Sequence, residues 1–330
     1  MDSTGIPDQM LPPELQARLR QCTTLPSPPK VAVKIIELAK DPEVDIEDVV
    51  RVLMIDPALS AKILRMANSP LYGHQKKVKD LTKATMVIGF NGVLSLALSF
   101  SLIKTFRREE GAGLNHLWFW RRAIMNGAAC RTLGEACHRK DLEQLFTPAF
   151  LQDIGMLVLD QIDPALYAHL NLDRLPHQRL VDYEMERLGT THATVGAWLL
   201  AQWHCPEELV QAIDYSDRPH HIPPQTDQTL FFHCVACSGM LTDLCTTEPG
   251  DEQLVEISEY FQTTLNLASL AFLEVLKKVQ AVGRELGSLF GIDTADGEHD
   301  PHALFEKARE LLVLRNIGID QQLKTLTAQV

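Results

Sequence analysis

Glycine-rich phosphate loops are missing from this chain. Its 330 residues contain no GxGxxG, no GxxxxGK[ST] and no GxSxG, so dinucleotide, P-loop and serine-hydrolase chemistry have no sequence support. Cysteine is sparse: seven residues, at 22, 130, 137, 205, 234, 237 and 245. An odd, scattered set is no disulfide framework and suits a reducing cytoplasm. Basic charge is in deficit. Lys and Arg number 31 against 43 Asp and Glu, a net charge of -12, which disfavours nucleic acid and anionic membrane as partners. The basic cluster HQKKVK (74 to 79) reads as a solvated loop, with a local phosphate patch as the lesser alternative. Long apolar runs are also lacking. MVIGFNGVLSLALSFSLI (86 to 103) comes nearest, but Gly89, Asn91, Gly92 and three serines interrupt it. A membrane span needs about 20 mostly apolar residues, so a buried core helix is expected there. The start, MDSTGIPDQMLPPE, is acidic and proline-rich, unlike a signal peptide.

What the sequence does contain is helical pattern. Ser27-Pro28 reads as cap and first turn, followed by Ala32, Ile35, Ile36 and Ala39 at i, i+3, i+4, i+7. Asp45 caps a stripe of Ile46, Val49, Val50 and Leu53, and Asp56-Pro57 opens one of Leu59, Ile63 and Met66. Asp80 is expected to cap a fourth helix ending at Gly89, and Asn91 a fifth. Further helices are expected near 114–137, 142–161, 179–187, 191–203, 206–215 and 228–245. No strand alternation persists, so the fold class is all-α, a two-lobed helical bundle.

The polar break RREEGAG (107 to 113) is the best boundary. It gives an N-terminal lobe at 14–106, a second helical lobe at 114–245 and a helical extension at 251–330. The region 248–330 carries 14 acids against 7 basic residues. Its last segment places Leu304, Ala308, Leu311, Leu312 and Ile317 on one face, which can dock on the core, pair with a second copy or lead to an output domain.

The order LPSPPKVAVKIIELAKDPEVDIEDVVRVLMIDPALSAKILRMANSPLYG, then TKATMVIGFNGVLSLALS, resembles bacterial HDOD domains. The resemblance rests on the L-P-x-x-P opening, the D-P-A-L turn, A-N-S before Y-G, and I-G-x-x-x-L, over roughly 14 to 245. It implies a branch of the HD phosphohydrolase fold with an incomplete metal centre, and a regulatory role in bacterial signal transduction.

Carrying the HD ligand pattern over residue by residue, the first His position falls on Arg122. The His-Asp pair falls on Gln152-Asp153, within AFLQDIGMLVLD. His192 is present in LGTTHATVGAWLL. A His-His pair in active relatives corresponds to Ser216 and Asp217, and the late Asp falls on or near Cys237. HD chemistry uses a divalent cation to lower the pKa of a bound water. Gln152 is a poor ligand, and Arg122 stays charged and repels a cation. Asp153 and His192 alone are too few for a catalytic site. The expectation is therefore no catalysis, no cofactor and no metal, with Asp153 and His192 the ligands if there is one. An uncompensated buried Asp153 is costly, so Arg122 is expected to pair with it; the alternative has Arg122 in solvent and Asp153 capping backbone.

Other constellations carry less. Cys234 and Cys237 form a CxxC beside His233, without a second ligand pair for zinc. His220-His221 reads as a solvated loop, and Trp118 and Trp120 as packing. The expected function is a cytoplasmic, non-catalytic bacterial signalling module acting through protein contacts, with homodimerisation through the C-terminal helices possible. Two alternatives remain: a sensor that holds a nucleotide or other anion in the pocket of Arg122, Asp153 and His192, and a residual metal-dependent phosphodiesterase.

Overall fold

A computed structural model of the chain describes residues 10–22, 28–41, 43–72, 77–106, 113–247, 249–294 and 303–313. All regular structure among them is helical. The first group comprises α1 (Pro13–Gln21), α2 (Lys30–Lys40), α3 (Ile46–Leu53), α4 (Pro57–Ala67), α5 (Leu81–Ile88) and α6 (Phe90–Phe106). The caps explain the boundaries. Asp45 and Asp48 form a reciprocal capping box on α3, Asp56 accepts from Ala58 and Leu59, and Asp80 accepts from the Lys83 N–H. Ser27, most of RREEGAG and the first half of HQKKVK lie outside the described residues.

The apolar run at 86–103 is not one helix. Gly89, at φ +86°, turns the chain by 107° between α5 and α6. Only glycine adopts that backbone readily. α6 then starts at Phe90, so Asn91 sits in its first turn and is not its cap. Most of α6, 12 of its 17 residues, is buried within the protein. Among the described residues, α14, defined below, is the one helix long and apolar enough by itself to cross a membrane, and it is mostly buried.

The second group comprises α7 (His116–Ala136), α8 (Leu142–Leu151), α9 (Gly155–Ile162), α10 (Ala165–Ala168), α11 (His177–Leu188), α12 (His192–Gln202), α13 (Glu207–Asp214) and α14 (Thr229–Thr246). The expected single helix at 142–161 is two, because the chain breaks at residues 152–154. The break lets α9 approach α12 closely: a Cβ on Gly155 would lie 1.9 Å from the His192 carbonyl oxygen. Only a glycine tolerates that contact, and it brings Asp153 to His192.

α15 (Asp251–Leu265) and α16 (Ser269–Phe290) complete the molecule, with a further helix, α17, at 303–313. α16 is part of the core. Phe290 stacks on Phe146 and Phe150 and meets Phe100 at a tilt, and Gly283 lies against Met125 of α7. The main core cluster runs from Leu11 to Ile292, across the 107–113 break. α1 reaches over to α9, where Arg18 Nη2 donates to the Ile162 carbonyl at 3.2 Å. α17 docks on the core: Ala308 and Leu312 are buried, and Lys307 Nζ donates to the Pro249 carbonyl at 2.7 Å. Ile317 lies outside the described residues.

Candidate functional site: a buried polar centre

Side chains from α7, the α8–α9 break, α11, α12, α14 and the turn after α13 converge on one polar centre. Arg122 and Asn126, one turn apart on α7, face the α8–α9 break. Arg122 Nε donates to Asp153 Oδ2 at 2.8 Å, and Asn126 Nδ2 donates to the same oxygen at 3.0 Å. Arg122 Nη1 donates to Asp243 Oδ1 on α14. The guanidinium therefore bridges two carboxylates, and its Cζ lies 5.9 Å from the centre of the Trp118 ring. Arg122 and Asp153 are 5% and 2% exposed, so this pair is out of solvent.

On the other side of Asp153 stands His192, the first residue of α12. Thr191 caps that helix. Glu184 of α11 orients the imidazole: its Oε2 accepts from the His192 backbone N–H and pairs with Nδ1, both at 2.7 Å. Tyr167 Oη donates to Glu184 Oε1 at 2.6 Å. His192 Nε2 then lies 3.4 Å from Asp153 Oδ1 and 3.5 Å from Asp217 Oδ2. Neither Nε2 nor Asp217 Oδ2 achieves hydrogen-bond geometry, though both are fully enclosed. His177, at the start of α11, pairs through Nε2 with Asp217 Oδ1 at 2.9 Å.

The electrostatics follow from this count. Asp153, Glu184, Asp217 and Asp243 supply four carboxylates around one permanently charged group, Arg122. Burial alone would raise the Asp153 carboxyl, but Arg122 and the two imidazoles hold it well below the usual range. Burial alone would keep His192 neutral, yet Asp217, Glu184 and Asp153 pull it well above the ordinary imidazole value. Burial also opposes ionisation of Asp217, and His192 with His177 bring its carboxyl down to about 2. The remaining negative charge is met by a proton on imidazole or by a cation.

The residues fit a single cation better than the sequence suggested. Asp153, His177 and His192 each offer one ligand atom, all within 4.8 Å of one another. Two imidazoles and a carboxylate are an accepted set for a divalent transition metal, and a ligating histidine commonly gives its other nitrogen to a carboxylate, as His192 does to Glu184. The rest of the HD set is otherwise engaged. Arg122 occupies Asp153 Oδ2 and Asp243, and Gln152 Nε2 donates to Ser238 Oγ at 3.3 Å. Access is narrow: a recess of about 70 Å³, bordered by Trp118, Arg121, Arg122, His177 and Asp243, is the opening beside the centre.

Not every residue expected here takes part. Ser216 is buried, but its hydroxyl donates to the Ile213 carbonyl of its own helix at 2.7 Å, and its neighbour Asp217 faces His192 instead. Cys237 lies in the second core cluster with Cys130 and Cys234. Burial pushes the Cys237 and Cys130 thiols up, which suits small core residues rather than metal-bound thiolates. The face of α14 that meets Arg122 and Gln152 carries Ser238, Gly239 and Asp243. Sequence reasoning missed His177, Glu184, Asn126 and Asp243. Asn126 was the findable one, since it lies one turn from Arg122 on the same face.

The HDOD domain family model matches residues 25–219. The chain belongs to the HDOD domain family. Its fold is shared with an HDOD domain protein of unknown function from Geobacter sulfurreducens (18% identity, TM-score 0.67, covering 83% of this chain and 99% of that one). It is shared too with a protein from Shewanella amazonensis provisionally assigned as a phosphohydrolase (23%, 0.65, 85% and 99%). A third, from Marinobacter aquaeolei, is provisionally assigned as a signal transduction protein (21%, 0.58, 84% and 65%). These identities speak for fold alone. An uncharacterised Treponema pallidum protein is 23% identical over 205 residues, and the matched region of this HDOD chain spans 39% of that relative. Asp243 and everything beyond it lie outside the family match.

Proposed function

We infer that this HDOD protein is a non-catalytic signal-transduction module, in which a guanidinium has taken the place of a catalytic cation. The observation that carries the reading is Arg122, buried and bridging Asp153 to Asp243. A fixed positive charge there opposes a metal at that end of the centre. The small recess also argues against a substrate: ligand pockets commonly enclose about 300–1,000 Å³, against about 70 Å³ here. The same comparison weighs against a nucleotide in the sensor alternative. With chemistry set aside, output must pass through contacts with signalling proteins. Exposed apolar side chains such as Met54, Ile55, Met86 and Leu270 are available for that. Pairing of two copies through the C-terminal helices remains part of this proposal, as do a bacterial source and a cytoplasmic setting.

A second reading is favoured by the three ligand atoms of Asp153, His177 and His192. In it, one divalent cation holds α9, α11 and α12 together, and residual phosphodiesterase activity would follow only if substrate could reach it. The test is turnover of bis-p-nitrophenyl phosphate by the full chain with Mn²⁺ or Ni²⁺ added. The inferred function requires rates no higher than the protein-free blank. Turnover abolished by Asp153→Ala would overturn it.

A further inference from the structure

A different cavity, between the two helical groups, has the features of a ligand site. It is a partly open cleft of about 230 Å³, walled by α2 and α6 on one side and by α8, α13 and α14 on the other. An engineered apolar cavity of roughly 150 Å³ is large enough to take up benzene, so this one exceeds the size a small organic molecule needs. Most of its wall is apolar, with Ile35, Leu94, Leu98, Leu209 and Phe231 contributing.

Several polar groups line the same space, and one of them has no partner. Thr147 is 5% exposed, lines the cavity, and its Oγ1 has no hydrogen-bond partner. The next residue, Pro148, stands inside α8 and brings no N–H. Gln144, one turn earlier, also lines the cavity, and its carbonyl loses its usual helical donor. Glu208 adds a carboxylate at the start of α13. Burial, with Asp141 nearby, raises that carboxyl, the direction expected of an acid facing a poorly hydrated space. No Lys or Arg lines the cavity. The wall thus carries one negative charge and no positive one, with the Asn91 and Gln144 amides and the Ser95 and Thr147 hydroxyls able to donate or accept.

We propose that this inter-lobe cavity binds a small molecule with an apolar body and one hydrogen-bond-donating head, uncharged or cationic, whose head meets Thr147, Gln144 and Glu208. An anionic head is disfavoured by the Glu208 carboxylate. Because the walls come from both helical groups, an occupant contacts both at once. That is an input point for a signalling module, separate from the polar centre and independent of whether the centre holds a metal.

The test uses the full chain and three probes of one size: hexan-1-ol, hexylamine and hexanoate, titrated by calorimetry and followed by amide NMR shifts. Expected are saturable binding of the alcohol and the amine, with hexanoate at least about tenfold weaker. Thr147→Val should weaken the alcohol by about two- to tenfold, the range of one neutral hydrogen bond. Ser95→Leu, a half-buried lining position filled by a larger side chain, should abolish binding while the melting temperature and helical content stay at the parent values. The proposal is overturned if no probe saturates, if hexanoate binds as well as the alcohol, or if Ser95→Leu folds and binds unchanged.

Discussion

Replacing Arg122 is the sharpest perturbation of the polar centre. Arg122→Met keeps the length of the side chain and removes the charge. In the parent, Asp153 Oδ2 has two donors, Arg122 Nε at 2.8 Å and Asn126 Nδ2 at 3.0 Å, and only the first is a cation. Asp153 is 2% exposed, so water cannot replace the lost partner. Breaking a buried pair by removing one member costs about 3–5 kcal/mol. Asp243 is more exposed than Asp153 and adds less. The expected loss is therefore about 3–5 kcal/mol, or on the order of 10 °C in melting temperature for a chain of this size. The assay is urea unfolding followed by circular dichroism, on Arg122→Met, Asp153→Asn and the double variant. Removing both charges should recover part of the loss, since a neutral replacement of a buried pair is often tolerated. A loss under about 1 kcal/mol for Arg122→Met, or strict additivity in the double variant, would refute the pairing argument.

Four further outcomes follow from the same geometry. Gly155→Ala should destabilise strongly and loosen the α9–α12 contact, because its Cβ would collide with the His192 carbonyl; differential scanning calorimetry would read the loss. Glu184→Gln should cost about 1.5–3 kcal/mol, the worth of a hydrogen bond to a charged group, since Glu184 serves both the His192 imidazole and Tyr167. Stability should depend on pH at both ends. Asp153 and Asp217 are depressed, so their contribution is present above about pH 4, the unfolded carboxylate value, and is lost as pH falls through the folded values, with Asp217 at about 2. His192 is raised, so its contribution is full below about pH 6.5 and is lost as pH climbs through its folded value; unfolding free energies across that range would check both limbs. Thiol titration of the native protein should label Cys22 and Cys137 first, the two partly exposed cysteines, with all seven reacting after denaturation.

The helical class and most N-terminal boundaries were legible in sequence because they are local. Asp45, Asp56 and Asp80 announce their helices by capping, and proline at position 57 agrees with them. The break at 152–154 was not legible, because its cause is distant in sequence: the backbone of α12 meeting Gly155. The same distance hid His177 and Glu184, which reach His192 only because α11 packs beside it. Asp243 escaped because a residue-by-residue carry-over pointed to Cys237, while the helical phase of α14 turns Cys237 into the core and Asp243 toward Arg122. Charge logic did transfer. A buried aspartate needs a cation, and an arginine stood at a position where the HD pattern has a ligand.

The central claim is that Arg122 stands where a catalytic cation would otherwise be needed. Elemental analysis of the purified full chain, after expression in medium supplemented with Fe, Mn, Ni and Zn, tests it most directly. Less than about a tenth of an equivalent of any of them is expected, since the fixed charge of Arg122 already sits on Asp153 and Asp243 and repels a divalent ion from the three potential ligands. A stoichiometric metal, lost when Asp153, His177 or His192 is replaced by Ala, would contradict it.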